Sequence, residues 1–326
     1  MSKKILITGI SGFIGRHVAR LLATKKGLEI HAIIRPGTLQ NRIGEFDGQF
    51  IFHQIDLTDI DELKKYLQNN SFDIIYHIGA LRGGRKFSKK AFFDANVNAT
   101  EQLAITAQRN DSLFIFCSSV GVFGAIPLQL PANNKTKRQE DNYYHYTKIR
   151  SELIIQKMVL YGLRAVIIRP AITYGIGDYG FPYTLIKLVD KKLMFLPKNE
   201  VIIHLSSAEY LAEIFLKLLD FEPKSGSAYN VADLEPVNLQ ELVDFISKEL
   251  KNKSYPASRN INPKYFRWAE NLARKFKSEL WISRFELISK SWYYDIENTR
   301  NELAIKPPKT IPNFKNIINW YKSEGK

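Results

Sequence analysis

The stretch Lys4-Ile5-Leu6-Ile7-Thr8-Gly9-Ile10-Ser11-Gly12-Phe13-Ile14-Gly15 decides the fold of this chain. A short apolar run reads as a buried strand, then passes through three glycines into a helical pattern over Gly15–Ala23. Each glycine has a physical use. One permits a tight turn, one lets the backbone approach a bulky anion, and one lets the helix pack closely on the strand. The exposed N–H groups of the helix N-terminus then favour a diphosphate. A strand–turn–helix of this form opens a dinucleotide-binding unit, with Gly9, Gly12, Phe13, Ile14 and Gly15 as cofactor-contacting candidates.

Outward from that turn, short apolar runs alternate with helical patterns. Strands are expected at Lys4–Thr8, Glu29–Ile34, Phe50–Gln54, Ile74–His77, Leu113–Ser118 and Arg164–Arg169, with helices at Gly15–Ala23, Ile60–Gln68, Asn96–Arg109 and Tyr146–Tyr161. Such alternation predicts an α/β fold, a Rossmann-type doubly wound parallel sheet buried on both faces. After Pro170 the rhythm changes; a helix at Ala208–Leu219 and a late strand at Tyr229–Ala232 return to it. The expected division is a dinucleotide-binding domain over 1–173, rejoined by 200–233, and a smaller interleaved C-terminal substrate lobe over 174–199 and 234–326.

Composition is that of a globular enzyme: 326 residues, 45% hydrophobic and 25% charged. With Cys117 as its one cysteine, no intrachain disulfide can form, and a reducing, cytoplasmic setting is expected. The apolar run at Ile5–Ile7 is too short for a signal peptide, and no stretch approaches the roughly 18 apolar residues of a membrane span. The net charge is +14, and between Lys248 and Lys290 eleven Lys/Arg face four Asp/Glu. Nucleic acid is not the expected partner, because the chain shows no zinc-ligand spacing, basic zipper or RNP-type aromatic pair. A solvated surface is the plain expectation for the excess, with attraction to an anionic substrate or membrane as the alternative.

The second expected strand ends at Arg35, where an NAD site commonly has Asp or Glu and an arginine accommodates a 2′-phosphate. Arg35, with Arg42 as a possible second cation, therefore points to NADP, with NAD as the alternative. Asp56 and Leu57 follow the third strand, where a carboxylate can accept from an adenine amino group.

Of three neighbouring tyrosines, Tyr143, Tyr144 and Tyr146, only Tyr144 has a lysine four residues on, at Lys148, and so on one helix face. An isolated phenol titrates near 10. A neighbouring ammonium and a positive nicotinamide ring both favour the phenolate, and a shift of about three units would need about 4 kcal/mol. Tyr144 is thus expected to have a lowered pKa and to exchange a proton with a substrate hydroxyl. Of the hydroxyls that end the fifth strand, Ser118 and Ser119, Ser119 is chosen to bind the reacting oxygen.

These pieces resemble an extended short-chain dehydrogenase/reductase, the NAD(P)-dependent epimerase/dehydratase family. In family order they are Thr8–Gly15 as TGxxGFIG and His77-Ile78-Gly79-Ala80 near HxAA. Asn96–Thr100 follows as NVxGT, Ser119–Gly124 as SxxVYG with Phe123 for Tyr, Tyr144–Glu152 as YxxxKxxxE, and Arg169–Gly175 as RPxxxYG. The resemblance covers about the first 175 residues. It implies catalytic Ser119, Tyr144 and Lys148, Asn96 in a proton relay, Lys148 on the nicotinamide ribose, and Ala80 at the cofactor. Relatives that dehydrate nucleotide sugars usually carry Asp-Glu after the catalytic hydroxyl residue; here Val120-Gly121 argues against dehydration.

Past Gly175 the signals thin. The tail, from Trp292–Asp295 through Pro307 to Trp320-Tyr321, resembles the family's usual ending, and Tyr265–Trp281 resembles hydroxysteroid-dehydrogenase-like branches. There Tyr265, Trp268, Leu272, Phe276 and Leu280 recur at helical spacing beside Arg267, Arg274, Lys275 and Lys277. A helix packed into the core with a solvated basic face is expected; a pocket wall or a weak peripheral contact with anionic membrane are the alternatives. His204 is expected to be structural. The function expected is an NAD(P)-dependent oxidoreductase acting on a ketone or secondary alcohol. A nucleotide-sugar epimerase with tightly held NAD stands second, and a non-catalytic NADP-binding sensor or scaffold third. The partner is a small-molecule substrate, and a homodimer is compatible with the sequence.

Overall fold

A computed structural model describes residues 2–82, 87–276 and 278–324, with the backbone alone at 279 and 280. The apolar runs become β1 (Lys3–Thr8), β2 (Leu28–Ile34), β3 (Phe50–Gln54), β4 (Ile74–His77), β5 (Leu113–Cys117) and β6 (Ala165–Pro170). Four short strands follow, β7 (Ile172–Tyr174), β8 (Leu196–Pro197), β9 (Ile202–Ile203) and β10 (Leu205–Ser207), then β11 (Ala228–Val231). The main sheet has seven strands, ordered β11-β6-β5-β4-β1-β2-β3, and every pairing within it is parallel. This is a Rossmann-type doubly wound sheet. The chain runs outward from β1 to β3, then returns to place β4 on the other side of β1. That reversal opens a crevice beyond the carboxyl ends of β1 and β4, where such sheets bind ligands.

Helices α1 (Phe13–Ala23), α2 (Ile60–Gln68), α3 (Lys89–Phe93), α4 (Ala99–Arg109), α5 (Tyr143–Val159), α6 (Phe181–Asp190) and α7 (Ala208–Lys217) flank or extend the sheet. Successive strand side chains leave on opposite faces. Ile5 and Ile7 therefore join Val18, Leu22, Leu211 and Phe215 under α1 and α7. Leu6 points the other way, to Leu63, Leu103 and Ile155 under α2, α4 and α5. Each such side chain contributes about 1.5–3 kcal/mol on burial, before conformational entropy opposes it. A further apolar cluster, with Tyr174, Ile186, Leu242, Trp292 and Phe314, links α6 to α8 (Leu239–Lys251) and the terminal helix. Immediately before α8 lies β12 (Val237–Asn238), and after it come β13 (Asn260–Ile261), α9 (Pro263–Lys275), α10 (Glu279–Ser289), α11 (Glu297–Leu303) and α12 (Thr310–Glu324).

Two expectations need correction. The helix expected from Asn96 begins earlier, as α3, because Ser88 Oγ caps it by accepting from the Ala91 N–H; a π-helical turn over Asp94–Asn98 then joins α3 to α4. The segment 265–281 is two helices rather than one, and its aromatic stripe does not enter the core: Tyr265, Trp268, Leu272 and Phe276 are exposed. Phe266 and Ala273, on another face of α9, are the buried ones. Lys277 and the Leu280 side chain lie outside the described residues. No helix among the described residues is long and apolar enough to cross a membrane.

Candidate active site

The glycine turn has little tolerance for side chains. Gly9 has φ +83, and a Cβ there would lie 2.6 Å from the Gly79 nitrogen. At Gly15 a Cβ would fall 2.1 Å from the Gly9 carbonyl oxygen, so only glycine lets α1 start this close to β1. Gly12 is the exposed N-cap of α1 and caps it with no side chain, leaving the approach to the helix N-terminus open. Phe13 and Ile14 form the first turn, both half-buried. These are the features a diphosphate requires: backbone donors, a positive helix end, and no Cβ in the way. The residues present therefore fit a dinucleotide.

Where the sequence leads one to expect the adenosine, Arg35 lies at the carboxyl end of β2 and Asp56 just beyond β3. The arginine Nε and the carboxylate are 3.4 Å apart, which the sequence did not foretell. Arg35 also lies over the Phe87 ring, 5.8 Å from its centroid. Asp56 Oδ1 accepts from the Thr58 backbone N–H and hydroxyl, so the carboxylate is held in place. Leu57 and Ala80 are half-buried, and Leu57 Cδ1 lies 3.0 Å from where a Cβ of Gly79 would be. Arg42 is exposed in a 3-10 turn.

Tyr144 and Lys148 both lie in α5, which Asn142 caps by accepting from the His145 N–H. The Lys148 ammonium donates to the Cys117 carbonyl at 2.7 Å, sits 4.6 Å from the Phe116 ring centroid and is 5.9 Å from that of Tyr144. It is thereby fixed at the carboxyl end of β5. Burial pulls its pKa down to about 8, partly offset by Cys117 and Glu152. The protein's own groups do not by themselves bring the lowering expected at Tyr144. The residue is half-buried, and burial pushes the phenol pKa up, Cys117 adds to the rise, and the charge of Arg82 only partly opposes it. Counting neighbouring cations omitted the larger quantity, desolvation of the phenolate.

Ser119 begins the turn after β5, and its Oγ accepts from the Gly121 N–H at 3.0 Å, leaving the hydroxyl proton available. Ser118 Oγ instead donates to Glu152 at 2.6 Å in the interior. Asn96 lies in the π turn, where its amide spans elements. Its Oδ1 accepts from the Leu81 N–H, and its Nδ2 donates to the Leu81 carbonyl and to Thr147 Oγ1. That side chain pins the loop after β4 to α5. His204 is buried between the Asp233 carbonyl and the Tyr294 N–H, away from any open surface.

Several groups escaped sequence reasoning. His77, at the end of β4, lies between Thr8 Oγ1 at 2.8 Å and Thr100 Oγ1 at 2.9 Å. Burial, helped by the Lys148 charge, takes its pKa to about 3, so it stays neutral and ties the two strand ends that border the crevice. Glu152 is wholly buried and accepts a two-pronged contact from Arg169 at 2.7 and 2.8 Å and another from Arg138 at 2.7 Å. Burial opposes its ionisation most strongly, but Arg169, Arg138 and Ser118 outweigh it and hold the carboxyl below its usual range. The spacing YxxxKxxxE was the available signal, since it puts Glu152 one turn beyond Lys148. Asp178, in the loop before α6, is raised to about 6 by burial, although the Gly180 N–H and Arg82 act the other way. No three His, Cys, Asp or Glu side chains among the described residues are grouped to hold a metal ion.

A glycine-rich βαβ crevice facing a Tyr–Lys pair on α5 defines an extended short-chain dehydrogenase-type enzyme, and residues 5–232 match the family described as "NAD dependent epimerase/dehydratase family". The chain belongs to that family. It is similar to the UDP-glucose 4-epimerase of Vibrio cholerae, with 24% identity over 323 residues, covering 95% of this chain and 93% of that protein. A UDP-glucose 4-epimerase of Pisum sativum is 30% identical over 164 residues, a match spanning 47% of each. Among solved structures, the Bordetella bronchiseptica enzyme WbmH, in complex with NAD+, superposes with a TM-score of 0.77 at 18% identity over 99% of both chains. At that identity the likeness speaks for the fold.

Proposed function

We propose that this enzyme interconverts a secondary alcohol and its ketone, with Tyr144 as the proton-exchanging acid and base, Lys148 beside it, and Ser119 binding the reacting oxygen. The observation that carries the proposal is the anchoring of Lys148 to the Cys117 carbonyl, 5.9 Å from the Tyr144 ring. When bound, a nicotinamide dinucleotide supplies the redox half, exchanging a hydride with the carbon that bears that oxygen. Gly9, Gly12 and Gly15 would seat its diphosphate. Burial keeps Tyr144 a neutral phenol, so its ready role is to donate a proton to an oxygen gaining negative charge. Lys148, near 8, carries its charge at neutral pH and favours the phenolate left behind. Ser119 can donate because its oxygen is already an acceptor from Gly121. The segments 174–199 and 234–326 would supply the substrate-facing side.

The finer reading is a net NADP-linked oxidoreductase. Arg35 and Asp56 are both partly exposed, and such a pair is worth about 0–1 kcal/mol. A 2′-phosphate could therefore draw Arg35 away at little cost. A second reading, a nucleotide-sugar epimerase holding NAD without net turnover, is favoured by the full-length similarity to the Vibrio cholerae epimerase. Replacing Tyr144 with Phe should lower kcat by about 10²–10⁴ while leaving dinucleotide affinity within about twofold. Activity close to wild type would remove Tyr144 from the chemistry. Arg35→Asp should shift the NADPH/NADH affinity ratio toward NADH by at least about tenfold. An unchanged ratio would refute the assignment and leave the epimerase reading ahead.

A further inference from the structure

The α9–α10 hairpin shows an apolar face that the fold leaves uncovered. On α9, Tyr265, Trp268, Leu272 and Phe276 follow one another at steps of three and four residues, so they form one stripe. Trp268 is 67% and Phe276 74% exposed, and Trp281 at the start of α10 is 50% exposed. Single exposed apolar residues are ordinary on a protein surface, but five large ones on one hairpin are not. The other side of α9 is already satisfied, with Phe266, Glu270 and Ala273 buried. The stripe is therefore additional to the packing that holds the hairpin.

Charge around the stripe is sorted by sign. Glu270 and Glu286 turn inward and are neutralised by Arg274 and Lys290, at 2.8 to 3.0 Å. Lys264, Arg267, Lys275 and Arg284 are exposed. Lys264 lies 5.3 Å from the Tyr265 ring centroid and Arg284 5.1 Å from that of Trp281. Nearby, just ahead of β8, Phe195 is exposed with Arg259 over its ring at 4.8 Å. Among the described side chains of the hairpin, the outward surface thus joins aromatic rings to cations, and its carboxylates are spent internally.

We infer that the α9–α10 hairpin is a membrane-docking face, its aromatic stripe resting at the headgroup boundary of an anionic bilayer and its cations on the lipid phosphates. Aromatic rings of amphipathic character are favoured at that boundary. An α-helix of the length of α9, 13 residues, lies about 20 Å along such a surface, enough to seat the whole stripe. Charge complementarity selects this occupant over a second copy of the chain. A two-fold interface apposes the same patch on both subunits and would crowd eight outward cations into one seam with no outward carboxylate among the described side chains of the hairpin to answer them. An anionic surface draws them instead, each worth about a fivefold gain in partitioning.

Co-flotation of the full-length protein with vesicles tests the inference. The protein should float with phosphatidylcholine vesicles containing phosphatidylglycerol, poorly with phosphatidylcholine alone, and less as salt rises. Tryptophan emission should shift to the blue on binding, because Trp268 and Trp281 leave water. The double substitution Trp268→Ser and Phe276→Ser should weaken partitioning at least about tenfold with an unchanged Tm, since neither ring packs in the core. Lys264→Glu with Lys275→Glu should weaken it similarly and abolish the salt dependence. Failure to float with anionic vesicles at low salt would overturn the inference. So would binding that survives both double variants, self-association lost with the stripe, or a structured RNA that displaces the vesicles.

Discussion

Two clusters of carboxylates and cations hold two regions of this molecule, and they differ in what surrounds them. Beside the candidate site, one carboxylate, Glu152, meets two arginines and the Ser118 hydroxyl; Arg169 is 3% exposed at its side chain. In the hairpin, two carboxylates meet two cations of which Arg274 is 52% and Lys290 37% exposed. Distances are alike, near 2.7 to 3.0 Å, but solvent separates their consequences. A charge pair taken out of water must be complete, because a lone buried charge is costly. A pair whose cations reach water can be replaced by hydration. The first cluster ties α5 to β6 and the strand end that carries Ser119. The second only steadies a peripheral hairpin.

Removing the carboxylate should therefore divide the two sharply. Glu152→Gln leaves Arg169 without its counter-charge in the interior, and the half-buried Arg138 without one beside it, and should cost about 3–5 kcal/mol, read as a fall in denaturation midpoint. A loss under 1 kcal/mol would place this cluster with surface pairs and break the contrast. Acid sharpens the same point. The Glu152 carboxyl is held below its usual range, so its contribution to stability is complete above about pH 4.5 and disappears as pH falls through the folded-state pKa. The acid limb of a stability–pH curve should be shallower in Glu152→Gln than in wild type. Equal slopes would mean the carboxyl is not ion-paired in solution.

That contrast also marks what could be read in advance. The strands were legible because an apolar run of four to six residues between turn signals has few other uses; β3 and β4 fall on the expected bounds, Phe50–Gln54 and Ile74–His77. The register of Tyr144 was legible because no neighbouring tyrosine has a lysine four residues on. Glu152 was quoted in its motif but given no work, because its partners Arg138 and Arg169 come from a loop and a different strand, 14 and 17 residues away in sequence. The hairpin shows the complementary failure. Periodicity says which residues share a face and is silent on whether anything covers it, so the stripe on α9 was expected in the core. Desolvation at Tyr144 belongs to the same class, since how far water is excluded depends on the packing of distant elements.

The smallest effect is expected in the hairpin cluster. Glu286→Gln removes one of two carboxylates there, but Arg274 and Lys290 retain Glu270 at 2.8 and 3.0 Å and reach solvent for the remainder of their hydration. Coulomb attraction in that setting is about 1 kcal/mol or less, and it is screened further once the Debye length falls to about 8 Å near physiological salt. The substitution should lower stability by about 0–1 kcal/mol at low ionic strength, with the difference shrinking as salt is added. Glu152→Gln should show almost no such salt dependence, because screening ions do not enter the interior. A loss at Glu286 as large as that at Glu152, and equally indifferent to salt, would mean that the hairpin is clamped to the body of the protein as firmly as α5, and that its exposed rings are a cost of that clamping rather than a surface kept free.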